Sequence, residues 1–358
     1  MKRTKFYEYF PPPQFLQMPA VGLDISETSM RFTELVETRK GFVIGRFAEL
    51  AIPRGVIELG EVKKIPELNA IFKTLKKEYN IEYVTMALPE EKAYLFDLHL
   101  PAMKHNQIRG AIELAFEEHV PINVADAVFD YDIEMETDTG IDVRVTATNN
   151  SIIDGYLEAL LDTGIKPIAF EIEVQSIARA VIPEGDMGTS MIMDFGKLRT
   201  SIAVVSNGGV KFASTIPTGS LHLTEVIAKD LGISYEEAEK LKISQGIEAG
   251  GKNGKLSPSV LGIIKSLRED INKNYLYWQS YNNDADKKHV VVKKIYLSGG
   301  GSNLQGFTSY LGAGLPVSVE LANVMVNVNT LDQYVPEINF NESLHYSTAI
   351  GLALRRPN

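Results

Sequence analysis

Three short segments hold residues able to bind a polyphosphate and its metal. The first is Asp24-Ile25-Ser26-Glu27-Thr28-Ser29. An Asp ending an apolar strand, followed by a tight turn, sets a carboxylate beside consecutive backbone N–H groups that can cradle phosphate oxygens. Asp24 can hold Mg2+ through water, since this ion keeps much of its hydration shell. The second, Asp194-Phe195-Gly196-Lys197-Leu198-Arg199-Thr200, repeats the plan, with Gly196 giving the turn its backbone freedom. The third, Leu297-Ser298-Gly299-Gly300-Gly301-Ser302-Asn303, lies between an apolar strand and a helix. Three glycines cost backbone entropy, which predicts that something approaches that backbone closely.

An Asp at a strand end is ordinarily turn chemistry. The two acidic turns gain meaning from the elements that carry them, because both open a repeated unit. Ala20–Ile25, Met30–Glu37 and Phe42–Ile52 read as strands, with a helix at Lys64–Tyr79. Met191–Phe195, Thr200–Ser206 and Gly209–Ile216 read the same way, with a helix at Leu221–Asp230. Each run begins with a strand reaching Asp and ends in Ile-Pro-x-Gly, at Ile52-Pro53 and Ile216-Pro217. A duplicated β-β-β-α unit would place two hairpins on opposite sides of one ligand.

Between the copies, Leu98–Val145 reads as a small α+β insertion with one helix and two strands, Val128–Met135 and Ile141–Ala147. Later elements are helices at Tyr235–Gln245, Pro258–Tyr281, Leu304–Leu311 and Ser347–Leu354, and strands at Val290–Leu297 and Pro316–Val319. Trp278 keeps the helical spacing of Val260, Ile264, Leu267 and Ile271, so it is assigned to packing. The expected division is a tail over 1–19, a first lobe over 20–97 and 148–185, an insertion over 98–147, and a second lobe over 186–358.

Competing motifs fit less well. A dinucleotide fingerprint would need glycine at position 304, which is Leu304. Gly246 to Asn253 approaches a phosphate-binding loop, but it follows a helix and ends in Asn, so it reads as a helix stop and surface loop. The six histidines show no short ligand spacing, there is no Gly-x-Ser-x-Gly elbow, and there is no cysteine.

A net charge of −10 without a long Lys/Arg block argues against a nucleic-acid partner. No run of about 18 apolar residues suggests a spanning helix, and Pro11-Pro12-Pro13 interrupts the opening before an apolar stretch builds. The expected compartment is the cytoplasm.

Taken in order, Val21-Gly22-Leu23-Asp24-Ile25, Asp194-Phe195-Gly196 with Thr200, and Leu297-Ser298-Gly299-Gly300-Gly301 resemble the phosphate-1, phosphate-2 and adenosine motifs of the actin/Hsp70/sugar-kinase superfamily. Glu171-Ile172-Glu173 before Arg179, Glu236–Lys242 and Ala349–Arg355 are most similar to the PilM family of type IV pilus assembly, itself similar to FtsA. The resemblance runs over about residues 20–356. It implies an α/β, duplicated actin-like (ribonuclease H-like) two-lobed fold with a small inserted subdomain and ATP with Mg2+ between the lobes.

By resemblance, Asp24 and Asp194 lie near the metal, and Ser26, Thr28, Ser29, Gly196, Thr200 and Gly219 near the phosphates. Glu239 and Lys242 approach ribose and adenine, Gly299, Gly300 and Gly301 pack on the nucleoside, and Glu173 and Asp194 are the catalytic candidates. The implied partners are the cytoplasmic N-terminal tail of an inner-membrane PilN-like protein and other pilus assembly proteins, with membrane association through them. The family usually has Gly where this chain has Ser26, Lys where it has Arg31, and a second Gly where it has Ser220. Nucleotide binding is therefore expected to survive better than hydrolysis, which needs tighter geometry. An FtsA-like filament protein and a sugar kinase of the same superfamily are the alternatives. The first is disfavoured because the chain ends at Asn358 with no membrane helix, the second because no motif singles out an Asp base.

Overall fold

The computed structural model describes residues 20–39, 41–248, 257–281, 291–329 and 334–355. The proline-containing tail and most of the near-miss phosphate loop lie outside them. The chain opens with an antiparallel meander of β1 (Val21–Ile25), β2 (Ser29–Thr38) and β3 (Gly41–Ala51). A short ladder of β4 (Ile57–Glu58) with β5 (Glu61–Val62) leads to α1 (Ile65–Tyr79). Leu68, Phe72 and Leu75, spaced four and three apart, put one face of α1 into the core. β6 (Tyr83–Leu88) then pairs parallel with β1, so β1 is enclosed on both edges and buried throughout.

The insertion comes next, as β7 (Ala93–Pro101), α2 (His105–His119), β8 (Ala127–Glu136) and β9 (Gly140–Asn149). Its sheet runs β7-β9-β8, with a core of its own from Ile108, Ile112 and Phe116 against Phe129, Val143 and Val145. β7 supplies a third strand beyond the two expected, and it begins at Ala93. The chain returns through α3 (Asn150–Leu160) and β10 (Lys166–Ile172), which completes a sheet ordered β10-β6-β1-β2-β3. α4 (Glu173–Val181) follows directly, a helix not expected from the sequence.

The second lobe repeats the plan with β11 (Thr189–Phe195), β12 (Thr200–Ser206) and β13 (Gly209–Ile216), then α5 (Ser220–Leu231), α6 (Tyr235–Gln245) and α7 (Pro258–Tyr281). β14 (Lys294–Ser298), α8 (Phe307–Gly312) and β15 (Ser318–Leu321) finish a sheet ordered β13-β12-β11-β14-β15. The two sheets share one topology: an antiparallel meander with two parallel strands added on the side of its first strand. Duplication is thus a property of the fold as well as of the sequence. Trp278 is buried in the second lobe's core, as its spacing predicts. The expected helix at Leu304 begins three residues later, because Gly300–Asn303 form a 3-10 turn first.

After α9 (Phe340–Ser343), α10 (Ser347–Ala353) crosses back to the first lobe. The division expected from sequence puts it with the second lobe, and it packs against β1 and α4 of the first, where Ala349 and Ile350 are buried in a cluster that residues of both lobes share. Glycine permits this packing. A Cβ on Gly351 would lie 1.8 Å from the carbonyl oxygen of Ser176 in α4, and one on Gly22 in β1 would lie 1.9 Å from that of Ala349. Arg179 of α4 ties the contact by donating to the Gly351 carbonyl at 2.9 Å while pairing with Glu171.

Gly351→Ala therefore forces backbone apart, and we expect it to lower unfolding stability by roughly 3 kcal/mol or more. Gly262→Ala, in α7 with nothing within 4 Å of the added Cβ, should raise it by about 0.5–1 kcal/mol. Urea unfolding of the two variants checks both signs.

Candidate functional site

β1 and β11 run to the same place from opposite lobes, and each delivers an Asp there. Asp24 and Asp194 line a cleft of about 500 Å³, within the ~300–1,000 Å³ range of small-ligand sites. Glu173, the first residue of α4, reaches the cleft from the first lobe. Asp24 raises the pKa of Asp194, and both raise that of Glu173. Burial and this repulsion hold Asp194 at about 6. Asp24 also rises to about 6, by burial, although Arg31 opposes the shift. Glu173 is held well above the usual carboxylate range, first by burial and then by Asp24 and Asp194. Glu90, just beyond β6, is pushed up to about 7 by burial while it accepts the N–H of Val174 in the first turn of α4.

Strand register explains the partners of Asp24. Asp24 pairs with Arg31 across β1 and β2, and Arg31 with Glu49 across β2 and β3. The guanidinium donates to Glu49 at 2.8 Å and stands 4.0 Å from Asp24, so its charge is shared. Asp194 is opposite Ser298 of β14, whose hydroxyl donates to Ser347 at 2.6 Å.

The first turn is closed on itself. Ser26 Oγ accepts the N–H of Ser29 at 3.1 Å and, more weakly, that of Thr28 at 3.4 Å. Ser26, Thr28 and Ser29 all line the cleft, but these N–H groups already have a partner. In the second turn Gly196 lines the cleft, whereas Thr200 and Gly219 stand behind the wall. Thr200 donates to the Thr218 carbonyl at 2.6 Å, and a Cβ on Gly219 would lie 2.4 Å from the Lys197 carbonyl oxygen. Those two residues hold the loop's shape.

The glycine triplet also serves the protein's own packing. Gly299, at φ +79, has room only for hydrogen, since a Cβ would lie 2.7 Å from the Phe195 carbonyl oxygen and 2.9 Å from Asp194 Oδ1. Gly301 faces the same carbonyl, and Gly300 faces the ring of His345. The close approach expected from the sequence is thus made in part by the second turn itself.

At the far end of the cleft, α6 begins in a capping box between Ser234 and Glu237. Its next turn turns Glu239 and Lys242 to the cleft, 2.7 Å apart. Lys242 Nζ also donates to Thr224 at 2.8 Å, and Thr224 donates to Glu239 at 2.5 Å. Cleft residues not singled out from sequence include Glu49, Tyr235 and His345. No local motif marks them; they reach the site through sheet register and packing.

Two carboxylates at strand ends from opposite lobes, Asp24 buried and Asp194 half-buried, suit Mg2+, which is commonly held by one or two carboxylates with waters and substrate phosphates. Among the described residues, no three of His, Cys, Asp and Glu are grouped to hold a metal by themselves. The donor set therefore fits a metal that arrives with phosphate oxygens, and does not fit an all-protein metal cage.

The sequence model of the type IV pilus assembly protein PilM family matches residues 22–357. The chain belongs to that family. A chain solved in a PilM-PilN type IV pilus biogenesis complex superposes with a TM-score of 0.78 at 21% identity, over 94% of this chain and 98% of that one. The ethanolamine utilization protein EutJ of Carboxydothermus hydrogenoformans follows at 0.51 and 18% identity, covering 94% and 89%. Both likenesses concern the fold, which is actin-like as the motif order implies. The cell division protein FtsA of Escherichia coli K12 is 24% identical over 233 residues, 59% of this chain and 54% of FtsA. The chain spans about half the length of the curated relatives it matches. No helix among the described residues is long and apolar enough to cross a membrane.

The raised carboxylates give this PilM-family chain a testable pH dependence. A carboxylate whose pKa rises from 3.8 to about 6 on folding favours the folded state fully below pH 4, and that contribution is lost as pH climbs through 6. Without divalent ions, Asp194→Asn should be more stable than the natural chain at pH 7.5, by roughly 2 kcal/mol. The gap should shrink as pH falls from 7 to 4 in urea titrations; a gap independent of pH would contradict the assignment.

Proposed function

We propose that this chain binds ATP with Mg2+ in the cleft and acts as a cytoplasmic scaffold of type IV pilus assembly, holding the N-terminal tail of a PilN-like inner-membrane protein. The observation that carries the nucleotide reading is the convergence of Asp24 and Asp194 from equivalent strands of two lobes onto one cleft, with Glu173 beside them. Buried carboxylates that destabilise each other are tolerated where a cation offsets them.

In this reading Asp24 and Asp194 hold Mg2+, which supplies charge neutralisation to the phosphates. The first turn and Gly196 face the phosphates, with Thr200 and Gly219 fixing the second loop from behind. Glu239 and Lys242 meet the ribose and adenine, and the Gly299-Gly300-Gly301 backbone lies along the nucleoside. Glu173 orients the attacking water. Burial, and then the charges of Asp24 and Asp194, push its carboxyl well above the usual carboxylate range. The scaffold reading rests on family membership and on the likeness to a chain from a PilM-PilN complex. The insertion, 98–147, is the proposed wall of the peptide groove.

Calorimetry with ATP and ADP, with and without Mg2+, tests the site. We expect Mg2+-dependent binding that falls at least tenfold in Asp24→Ala and Asp194→Ala. Negligible affinity in the natural chain would leave the fold as a scaffold without nucleotide. A pull-down with the partner's N-terminal tail tests the second half, and absence of binding with and without ATP would count against it.

Ser26→Gly frees the two N–H groups that Ser26 Oγ now accepts. At about 1 kcal/mol for each of the two phosphate hydrogen bonds, ATP affinity should rise roughly thirtyfold. An unchanged or weaker affinity would show that the serine turn does not compete with the phosphates.

A further inference from the structure

Arg199 sits at the end of the turn between β11 and β12, where its carbonyl accepts the N–H of Gly196 at 3.0 Å. Its side chain leaves the second lobe altogether. Nη2 donates to Glu27 of the first turn at 2.9 Å, and Nη1 pairs with Glu91 just after β6. All three side chains are about four-fifths buried. The loops placed at the phosphates from either lobe are thus joined by an ion pair across the cleft they would share.

The charge around the cleft makes this pairing consequential. Six carboxylates line it against four Lys and Arg side chains. Arg31 is committed to Glu49 and Asp24 along the strand register, and Lys242 to Glu239 and Thr224. Arg199 is held instead by two glutamates of the opposite lobe. Glu27 has a second donor, the N–H of Leu59 at 3.0 Å, so it is not stranded when the guanidinium leaves. Each glutamate here meets a different nitrogen, Glu27 Nη2 and Glu91 Nη1, whereas phosphate oxygens can engage two parallel N–H groups together.

We propose that Arg199 is the residue by which this cleft distinguishes polyphosphate from monophosphate: on binding, the guanidinium exchanges Glu27 and Glu91 for phosphate oxygens, and the inter-lobe ion pair opens. The proposal builds on the ATP reading above, but the exchange requires only the polyanion. Inorganic pyrophosphate is therefore a probe that separates the two.

The experiment is calorimetry of the full chain with MgATP, MgAMP and magnesium pyrophosphate, at low and moderate salt. The variants are Arg199→Gln, Arg199→Lys and the pair Glu27→Gln with Glu91→Gln. Arg199→Gln should weaken ATP and pyrophosphate about tenfold or more and leave AMP within about twofold, with Arg199→Lys in between. The double glutamine variant should tighten ATP and pyrophosphate, because it removes the competitors. A merely structural latch predicts the same sign for the arginine and glutamate variants, so same-sign effects overturn the exchange. An unchanged ATP-to-AMP ratio in Arg199→Gln also overturns it. Arg199-dependent pyrophosphate binding without ATP binding would overturn the nucleotide reading and uphold this one; binding of neither would end both.

Discussion

The structure is organised around an electrostatic conflict: Asp24, Glu173 and Asp194 are brought together in a cleft where they repel. Each alone is an ordinary end of a strand or start of a helix. Together, and drawn out of water, they hold protons that such groups lose near pH 4 in solution. The fold carries this cost, and the packing around the site has to bear it. Arg31 offsets part of the charge through two strands of register.

What keeps the carboxylates in place is close backbone contact, and glycine makes it possible at each point. Gly22 admits α10 to β1, Gly351 admits α4 to α10, and Gly299 and Gly301 admit the third turn to the second. A methyl group at any of these positions meets a main-chain atom of the neighbouring element, which cannot rotate away as a side chain could. These parts of the site are therefore fixed by main-chain contact. Arg199 adds a polar link across the same cleft, and unlike the backbone contacts it can be exchanged.

Much of the architecture was legible locally. The strand meanders, the Asp at equivalent points of each, and the amphipathic helices α1, α2 and α7 follow from periods of two and 3.6 residues. The elements not anticipated are instructive. α4 carries the helical spacing Val174, Ile177, Ala178 and Val181, but it starts without a loop on the last residue of β10, so no break announces it. β7 is largely apolar over Ala93–Leu100, and it continues from a 3-10 turn that Pro89 makes look like the end of a unit. Both gaps arose where one element runs directly into the next.

The sequence alone determined the unit that is duplicated, the residue types at the tips of its strands, and the order of the three turns that marks an actin-like fold. These are local properties, set by side-chain period and turn chemistry within a few residues. Only the tertiary structure decided how those tips are used. It shows that the N–H groups of the first turn are already engaged by Ser26, that Thr200 and Gly219 support the wall from behind, that α10 packs on β1 and α4, and that Arg199 reaches across to Glu27 and Glu91. Apart from the Ser26 turn, these are contacts between residues tens to hundreds of positions apart, fixed by sheet register and by backbone approach. No window of sequence contains both partners.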